Sequence, residues 1–483
     1  MDRPQRHRLL HGYPMAPLLR RAAHKGARRL ADGALELGKD GAGAPEPAWI
    51  TLDHTRPLLV GILPHAQCTP TVEGCGFCTF PHGGRYDQLL SRGQQMLARH
   101  DVEQLAQLPR RQVAAVYFGG GTANLVREEA LRDLFDRLTR HHDVAHAEVT
   151  LEGVPALFLT TFSDRLGWLA DLPAAHKRIS MGIQTFAPDW LERMGRRAFG
   201  DAGTFARVVK RARRRGLTVS GDLLFDLPGQ TLEDMREDVR RAVELGLDQV
   251  CVYHLVLYAG LGTPWSKDPA LVAAMPDNEA ACQHWLQLRD DLLAAGYVQT
   301  TLTNFERCEA HDGPRRFVYE EHSFTPERYD AVGCGLHGIS TFLDVGGRRA
   351  VKLVRGAPQY LNRWALEPPW TEHDYVFLYD EEDTLLLHVT RSLARARLDL
   401  CVVRERFGLD AAERFAGELA ACAEAGLVVL NDRELSLTPR GMFFADAVVG
   451  LLAAGRAAVV RQHAAGQHTL GLIERRAMYD GMG

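Results

Sequence analysis

Apolar residues along the chain fall into short runs separated by amphipathic stretches, a pattern typical of strands alternating with helices. Six runs predict buried strands: Leu58–Leu63, Ala114–Phe118, Glu148–Leu151, Arg178–Ile183, Thr218–Phe225 and Gln249–Leu257. The clearest helical patterns between them are Arg127–His141, Ala202–Arg215 and Leu232–Leu245. Strands joined through helices are parallel and have right-handed crossovers. The pattern therefore predicts an α/β fold, either a doubly wound sheet or a full or partial barrel.

Outside this alternating region the pattern changes, so the chain divides into four predicted parts. They are an N-terminal arm and linker (1–48), the barrel (49–265), a barrel extension and connecting region (266–373), and a C-terminal helical domain (374–483). The Arg/Ala/Gly-rich arm is expected to be helical. The extension is expected to hold a helix at Asn278–Ala295 and a strand at Tyr297–Asn304. In the last part, helices followed by a hairpin at Leu427–Leu437 are typical of a winged helix.

Composition and charge narrow the classes of protein and partner. Of the 483 residues, 46% are hydrophobic and 24% are charged, which excludes a disordered or fibrous chain. The 57 basic residues against 61 acidic ones give a formal net charge of −4, which argues against nucleic acid as a partner. The sequence has no long apolar window and no apolar core of a secretory signal near residue 1. We therefore expect a cytoplasmic protein with no membrane partner.

Three of the nine cysteines lie close together, directly after the first predicted strand. Cys68, Cys75 and Cys78 share one loop, whereas the other six cysteines are scattered. Three thiolates on one loop can hold three irons of a 4Fe-4S cluster and leave the fourth iron open to an external ligand. The same cysteines with His82 would also suit a closed zinc site, and three thiols that bind no metal are the simplest alternative. The loop alone leaves all three interpretations open.

Polar residues and glycines follow successive predicted strands at the point where each strand ends. They are the run Gly119-Gly120-Gly121-Thr122, then Glu152, Gln184 and Asp222. A glycine run lets the backbone approach a ligand closely. For any single residue of this set a helix cap or a surface polar contact is the commoner explanation. Because α/β barrels place their active sites at the carboxyl ends of strands, the repetition favours a binding site there.

Taken in order, these motifs resemble the radical S-adenosylmethionine (SAM) superfamily, and within it the oxygen-independent coproporphyrinogen III oxidase-like branch. That branch also contains heme chaperones, methyltransferases and cyclopropanating enzymes. The matching motifs are the cysteine loop, Phe118–Thr122, Glu152, Ser180–Phe186, Met194–Arg197, Leu227–Thr231 and, near the C-terminus, Leu437–Gly441. The resemblance implies a partial (β/α)6 barrel of the radical SAM type with a C-terminal winged-helix-like domain.

The resemblance also implies roles for individual residues. Cys68, Cys75 and Cys78 would ligate the 4Fe-4S cluster, and Phe77 would shield the cofactor beside it. The positions expected to hold one or two SAM molecules are Gly120, Gly121, Thr122, Glu152, Gln184, Arg196 and Asp222. The implied partners are a small-molecule substrate and a low-potential electron donor such as flavodoxin or ferredoxin.

Four departures from the branch pattern bear on the reaction, and one of them is the absence of the tyrosine that usually precedes the first cysteine. Six residues separate Cys68 from Cys75, where the branch has three. Gly153-Val154-Pro155 stands where the oxidases read Ile-Asp-Pro, and Arg315–Glu321 replaces the His-Asn-x-x-Tyr-Trp segment of the chaperones. These departures favour a radical SAM enzyme that transfers a methyl or methylene carbon to an unsaturated or heteroaromatic small molecule. The alternatives are oxidase-type decarboxylation, a heme chaperone, and a zinc-stabilised winged-helix protein that binds nucleic acid.

Overall fold

The described residues in the N-terminal part of the structure, a computed structural model, form strands. The structure describes residues 27–29, 34–37, 50–69, 75–80, 86–355 and 375–465. Strands β1 (Ala27–Arg29), β2 (Ala34–Leu37) and β3 (Ile50–Thr51) form a small antiparallel sheet. The prediction of a helical arm is therefore wrong for these strands, and the rest of residues 1–48 lies outside the described residues. Asp32-Gly33 stands between β1 and β2 in the sequence, a dipeptide typical of hairpin turns.

Six parallel strands form the centre of the main sheet, as the apolar runs predict. The strands are β4 (Leu58–Ile62), β5 (Val113–Phe118), β6 (Glu148–Gly153), β7 (His176–Gln184), β8 (Thr218–Phe225) and β9 (Gln249–His254). Each pairs in parallel with the next along the chain. This arrangement confirms the predicted partial (β/α)6 barrel.

Six helices alternate with these strands. They are α1 (Gln88–Gln104), α2 (Glu128–His141), α3 (Arg165–Ala170), α4 (Pro188–Arg193), α5 (Ala202–Arg213) and α6 (Leu232–Leu245). Helix α2 buries the predicted apolar face, including Leu131 and Leu138. Helix α6 begins with a capping box between Thr231 and Asp234 and ends at Gly246, which has a φ of +77° that favours glycine.

Further elements extend the sheet beyond both edges of the parallel core. They are α7 (Pro269–Ala273), α8 (Asn278–Ala294), β10 (Tyr297–Gln299), β11 (Asn304–Arg307), α9 (Cys308–His311), α10 (Tyr319–Ser323), β12 (Asp330–Cys334), β13 (Ile339–Leu343), β14 (Ala350–Val354) and β15 (Tyr375–Tyr379). The sheet has twelve strands in the order β10-β11-β9-β8-β7-β6-β5-β4-β12-β13-β14-β15. The single strand predicted at Tyr297–Asn304 is wrong, because β10 and β11 are two antiparallel strands.

Strand β12 pairs in parallel with β4, so a segment late in the sequence lies beside the first strand of the parallel core. A buried ionic cluster fastens this pairing at the amino ends of the strands. The Asp330 carboxylate accepts a hydrogen bond from Arg56 Nε at 2.9 Å and one from Arg111 Nη2 at 2.6 Å. Buried carboxylates need such partners, because burial without them costs several kcal/mol.

The C-terminal part has the predicted winged-helix-like order of helices and a hairpin. Its elements are α11 (Glu381–Ala394), β16 (Arg397–Asp399), α12 (Leu400–Phe407), α13 (Ala411–Arg414), α14 (Ala416–Glu424), β17 (Val428–Leu430), β18 (Glu434–Leu437), α15 (Pro439–Phe443), α16 (Ala445–Leu452) and α17 (Ala454–Ala465). Strands β16, β18 and β17 form a three-stranded antiparallel sheet. The expected boundary at residue 374 is too early, since β15 pairs with β14 of the main sheet. No helix in the described ranges is long and apolar enough to cross a membrane.

Candidate active site

The three clustered cysteines line one cavity of about 380 Å³ at the carboxyl ends of the parallel strands. Cys75 is buried, and Cys68 and Cys78 are partly buried. Burial, followed by the nearby Cys78 and Cys75 sulfurs, raises the pKa of the Cys68 thiol to about 12. Because metals bind thiolates, loading this loop with metal would release protons. The cavity has the size of a small-molecule site.

The three thiols can serve as ligands of an iron–sulfur cluster. In the described part of the chain, no three His, Cys, Asp or Glu side chains are grouped as ligands for a single ion. His82, the fourth ligand of the zinc alternative, lies outside the described residues. In a 4Fe-4S cluster each cysteine binds a different iron, so the three sulfurs do not have to meet at one point. The donor set therefore fits the cluster that the family resemblance implies.

The glycine run after β5 holds the cysteine loop against the sheet. Gly121 N donates a hydrogen bond to the carbonyl oxygen of His65 at 3.3 Å. Gly120 has a φ of +118°, and a Cβ at this position would lie 2.7 Å from the same oxygen. A Cβ on Gly121 would overlap the Gln67 carbonyl. The two glycines are thus required by the close approach of the loop backbone, in addition to their predicted role beside a ligand.

All eight predicted cofactor positions line the same cavity as the cysteines. They are Phe77, Gly120, Gly121, Thr122, Glu152, Gln184, Arg196 and Asp222. They come from the cysteine loop, from the ends of β5, β6 and β7, from the segment after α4, and from within β8. The Thr122 side chain also hydrogen-bonds the Cys68 thiol. The structure therefore brings together residues that are up to about 150 positions apart in the sequence.

Gln184 reaches the cavity through an irregularity of the backbone. The register between β7 and β8 shifts between Gly182 and Gln184, and Gln184 has a φ of +71°. A non-glycine residue in this conformation costs about 1–3 kcal/mol and persists only where its surroundings fix it. Asp238 supplies that support, since its carboxylate accepts hydrogen bonds from Thr185 Oγ1 at 2.8 Å and Phe186 N at 2.7 Å. The sequence gives no sign of this distortion.

Arg196 joins the cysteine loop to β7. Its Nη1 donates a hydrogen bond to Cys75 Sγ at 3.2 Å, and its Nη2 donates one to the Gly182 carbonyl at 2.5 Å. Its Nε is buried and has no hydrogen-bond partner among the described residues. A buried guanidinium with a remaining donor beside the cavity is suited to a carboxylate such as that of SAM.

Aromatic side chains enclose the cysteine loop on one side. The Phe77 and Trp265 rings pack edge to face with centroids 5.8 Å apart, and the Trp190 ring lies 6.3 Å from that of Trp265. Trp265 N donates a hydrogen bond to the Gly76 carbonyl at 2.9 Å, and any Cβ on Gly76 would overlap the Trp265 indole. This packing fixes Phe77 and Gly76 against Trp265, and the shielding role of Phe77 stays a prediction.

Sequence reasoning missed the contribution of β9 and the segment after it. Tyr253, His254, Leu255 and Val256 also line the cavity. The run Gln249–Leu257 predicts a strand, but only its position beside β8 shows that its end faces the cysteines. The polar pair Tyr253-His254 lies at the carboxyl end of this predicted strand and could have indicated that the strand contributes to the site.

Comparison with known protein families identifies two parts of the chain. Residues 72–242 match the family described as "Radical SAM superfamily", and residues 395–444 match the "HemN C-terminal domain". The chain therefore contains a radical SAM domain followed by a HemN C-terminal domain. Both matches agree with the branch that the motifs resemble, and the cofactors are accordingly a 4Fe-4S cluster and SAM. The thiols and the buried Arg196 donor described above fit that pair of cofactors.

Relatives of this radical SAM protein carry two kinds of name. The heme chaperone HemW of Haemophilus influenzae is 28% identical over 56% of this chain and 68% of its own length. HemW of Bacillus subtilis is 25% identical over 78% of this chain and 95% of its own. The oxygen-independent coproporphyrinogen III oxidase of Salmonella typhimurium is 25% identical over 84% of this chain and 88% of its own. The solved structure of coproporphyrinogen III oxidase (HemN) from Escherichia coli shares the fold, with a TM-score of 0.63 and 20% identity over 83% of this chain and 91% of that one.

The expectation of methyl or methylene transfer is wrong, because these relatives are named as oxidases and heme chaperones. The departure at residues 153–155, on which it depended, has a structural explanation. Asn124 Nδ2 donates to the Val154 carbonyl at 2.9 Å, and Val154 N donates to Asn124 Oδ1 at 3.0 Å. A Cβ on Gly153 would overlap the Asn124 side chain. The Gly-Val-Pro sequence therefore fits the local packing against Asn124.

Proposed function

We propose that this protein is a radical SAM enzyme that oxidatively decarboxylates a propionate side chain of a tetrapyrrole, in the manner named for the oxygen-independent coproporphyrinogen III oxidases. The observation that carries the proposal is the single cavity lined by three thiols and all eight predicted cofactor positions. Relatives of both kinds are named for tetrapyrroles, namely heme and coproporphyrinogen III. These names favour a tetrapyrrole as the ligand.

Different residues of the cavity would bind the cluster and SAM. Cys68, Cys75 and Cys78 would hold three irons of the cluster, which when bound would supply the electron for the reductive cleavage of SAM. Glu152 and Asp222 can accept hydrogen bonds from hydroxyl or ammonium groups of SAM. Arg196 can pair with the SAM carboxylate, and a second SAM molecule in the same cavity is part of the proposal. We also propose flavodoxin or ferredoxin as the electron donor.

A heme chaperone is the second candidate, favoured by the names of several relatives. The segment that replaces the chaperones' His-Asn-x-x-Tyr-Trp motif weighs against it. Phe317 lies under the Arg178 guanidinium at 3.5 Å, and Val318 N donates to the buried Glu148 carboxylate at 2.9 Å. The Tyr319 ring stacks on Tyr117 with centroids 4.8 Å apart. This segment is thus packed into the sheet as a structural element.

Anaerobic turnover separates the two candidates. Protein reconstituted with iron and sulfide is incubated with SAM, a reductant and coproporphyrinogen III, and the products are analysed by mass spectrometry. The oxidase proposal requires 5′-deoxyadenosine, methionine and carbon dioxide from the propionate, with no label from methyl-labelled SAM in the tetrapyrrole. A Cys308→Ala variant serves as the matched control, because Cys308 is a partly buried cysteine remote in sequence from the loop. Absence of turnover together with heme that stays bound through gel filtration would support the chaperone instead.

A further inference from the structure

Arg391 on α11 is a cation without a counter-charge in the part of the chain that the structure describes. Its guanidinium carbon lies 5.7 Å from the centre of the Phe324 ring, and no described carboxylate pairs with it. Asp383, an acidic residue of the same helix, is already paired with Arg456 Nε at 2.7 Å. Burial lowers the pKa of Arg391 to about 10, yet the residue keeps some accessible surface. The group therefore stays charged near neutral pH, and an enclosed charge without a partner is costly.

The groups around Arg391 add positive charge and a further hydrogen-bond donor. Tyr379, the last residue of β15, is 1% exposed, and its hydroxyl group has no hydrogen-bond partner among the described residues. Burial raises the pKa of Tyr379, so the hydroxyl group keeps its hydrogen. Burial, followed by the positive charge of Arg391, lowers the pKa of the buried Lys352 on β14 to about 7. Two basic groups and an unused hydroxyl donor thus lie near one another, and such a set suits an anion.

Aromatic rings connect Arg391 to the cavity that the three cysteines line. The Tyr319 phenol is near enough to Arg391 to act on its pKa, and the Tyr319 ring stacks on Tyr117 with centroids 4.8 Å apart. The Tyr117 ring in turn reaches Glu152, because a Cβ on Gly119 would lie 2.8 Å from Tyr117 Cε1 and 2.9 Å from Glu152 Oε2. Glu152 lines the cavity. Arg391 therefore lies at one end of a row of rings whose other end touches the cavity.

We propose that Arg391 and the Tyr379 hydroxyl group form a subsite that binds a carboxylate of the substrate; this inference rests on the proposed function in taking a tetrapyrrole propionate as that carboxylate. The guanidinium donates two parallel hydrogen bonds to the carboxylate, and Tyr379 donates a third. The bound carboxylate supplies the counter-charge that Arg391 lacks, and Lys352 adds positive potential. The motifs that carry the family resemblance include none of these residues.

The experiment compares wild-type protein with Arg391→Met, Tyr379→Phe and, as the matched control, Arg397→Met. Methionine keeps much of the apolar stem of Arg391, and phenylalanine removes only the Tyr379 hydroxyl group. Arg397 is exposed at the start of β16, so its replacement makes the same change of charge at the surface.

Each full-length protein is titrated with coproporphyrin III, the stable oxidised porphyrin, and with its tetramethyl ester, which has no free carboxylate. Both titrations use the same detergent and are followed by porphyrin fluorescence. Thermal unfolding without ligand and turnover of coproporphyrinogen III are measured separately.

Wild type and Arg397→Met should bind the acid about tenfold or more tightly than the ester. Arg391→Met and Tyr379→Phe should each lose about tenfold or more in affinity for the acid, because each removes hydrogen bonds to a charged group. Their affinities for the ester should stay within about threefold of wild type. Arg391→Met should unfold at the wild-type temperature or above it, because it removes an enclosed charge that has no partner.

Wild-type affinity of Arg391→Met for the acid, or an equal loss for the acid and the ester, would overturn the inference. A wild type that does not prefer the acid would also overturn it. If Arg391→Met does not fold, the affinities of Tyr379→Phe for the acid and the ester decide. If wild-type protein leaves coproporphyrinogen III unaltered, the proposed function fails, and the preference for the acid and its loss in the variants still decide on the subsite.

Discussion

Arg196 donates a hydrogen bond from Nη1 to Cys75 Sγ at 3.2 Å, so one guanidinium connects a cluster cysteine to the end of β7. Arg196→Met removes this bond and the donors proposed for the SAM carboxylate. We expect the cluster to assemble, because all three cysteines remain, and the affinity for SAM to fall about tenfold or more. Iron analysis and calorimetry measure the two effects. Arg197→Met is the control, since that side chain is 72% exposed; equal affinities in both variants would refute the assignment.

Replacement of Cys68, Cys75 or Cys78 by Ala should abolish iron binding. Each thiolate binds its own iron, so two remaining cysteines cannot hold the cluster securely. The measurements are iron and sulfide content and the visible absorption of anaerobically purified protein. Cys401→Ala, which removes a partly buried cysteine of the C-terminal part, should leave both at the wild-type level. Stoichiometric zinc in wild-type protein that takes up no iron would show that the loop is a zinc site.

Glu152→Gln and Asp222→Asn should weaken SAM binding about tenfold or more without loss of the cluster. A hydrogen bond to a charged group is worth about 1.5–3 kcal/mol, and these two carboxylates line the cavity. Calorimetry with SAM on reconstituted protein provides the measurement. Glu192→Gln tests for a general effect of charge, because Glu192 is 66% exposed. If both cavity variants bind SAM as tightly as wild type, the carboxylates do not contact the cofactor.

Gly121→Ala should displace the cysteine loop. A Cβ there would overlap the backbone carbonyl of Gln67, which cannot rotate away as a side chain could. We expect lower iron content after reconstitution and lower thermal stability. Gly417→Ala is the matched control, because a Cβ at this helical position meets nothing within 4 Å. Alanine also favours a helix by about 0.5–1 kcal/mol, so Gly417→Ala should leave stability equal or higher. Normal iron content in Gly121→Ala would contradict the tight packing.

Asp238 makes stability depend on pH. Burial, opposed by hydrogen bonds from Phe186 and Thr185, raises its pKa to about 6, above the ordinary 3.8. The folded state then holds the proton more tightly than the unfolded state, so this contribution is complete below pH 4 and is lost as pH rises through 6. The stability of wild type relative to Asp238→Asn should therefore fall by up to about 3 kcal/mol between pH 4 and 7.

Urea unfolding at the two pH values tests this prediction. The exposed Asp136→Asn variant on α2 is the control for loss of one negative charge, and its difference from wild type should change little with pH. An Asp238→Asn difference that is the same at both pH values would show that Asp238 titrates normally.

The parallel core was predictable because buried strands and amphipathic helices have distinct periods. The apolar runs place all six strands, and the cavity contains the three clustered cysteines and all eight predicted cofactor positions. The misassigned elements are short ones. Tyr297–Asn304 has the composition of one strand, but residues 300–303 form the turn between β10 and β11. Local composition does not show such a reversal, because β11 also pairs with β9, which is far away in the sequence.

The part of the site that sequence could not predict depends on tertiary contacts. Tyr117 and Tyr319 are far apart in the sequence, and nothing in their spacing indicates that their rings stack. The left-handed backbone of Gln184 likewise follows from the register shift between β7 and β8. The segment Gly153-Val154-Pro155 led to a wrong prediction of the reaction. It packs against Asn124, and its difference from the oxidase sequence was interpreted as a change in the reaction.

The pairing of β12 with β4 has a consequence for the order of events during synthesis. Asp330 and Arg56 are 274 positions apart. Strand β4, which leads into the cysteine loop, can therefore pair with its second neighbour, β12, only after both residues have been synthesised. The ribosome therefore releases the three cysteines long before the sheet that supports them is complete. A nascent chain that stops before residue 330 therefore carries the cysteine loop without the strand β12 that pairs with β4.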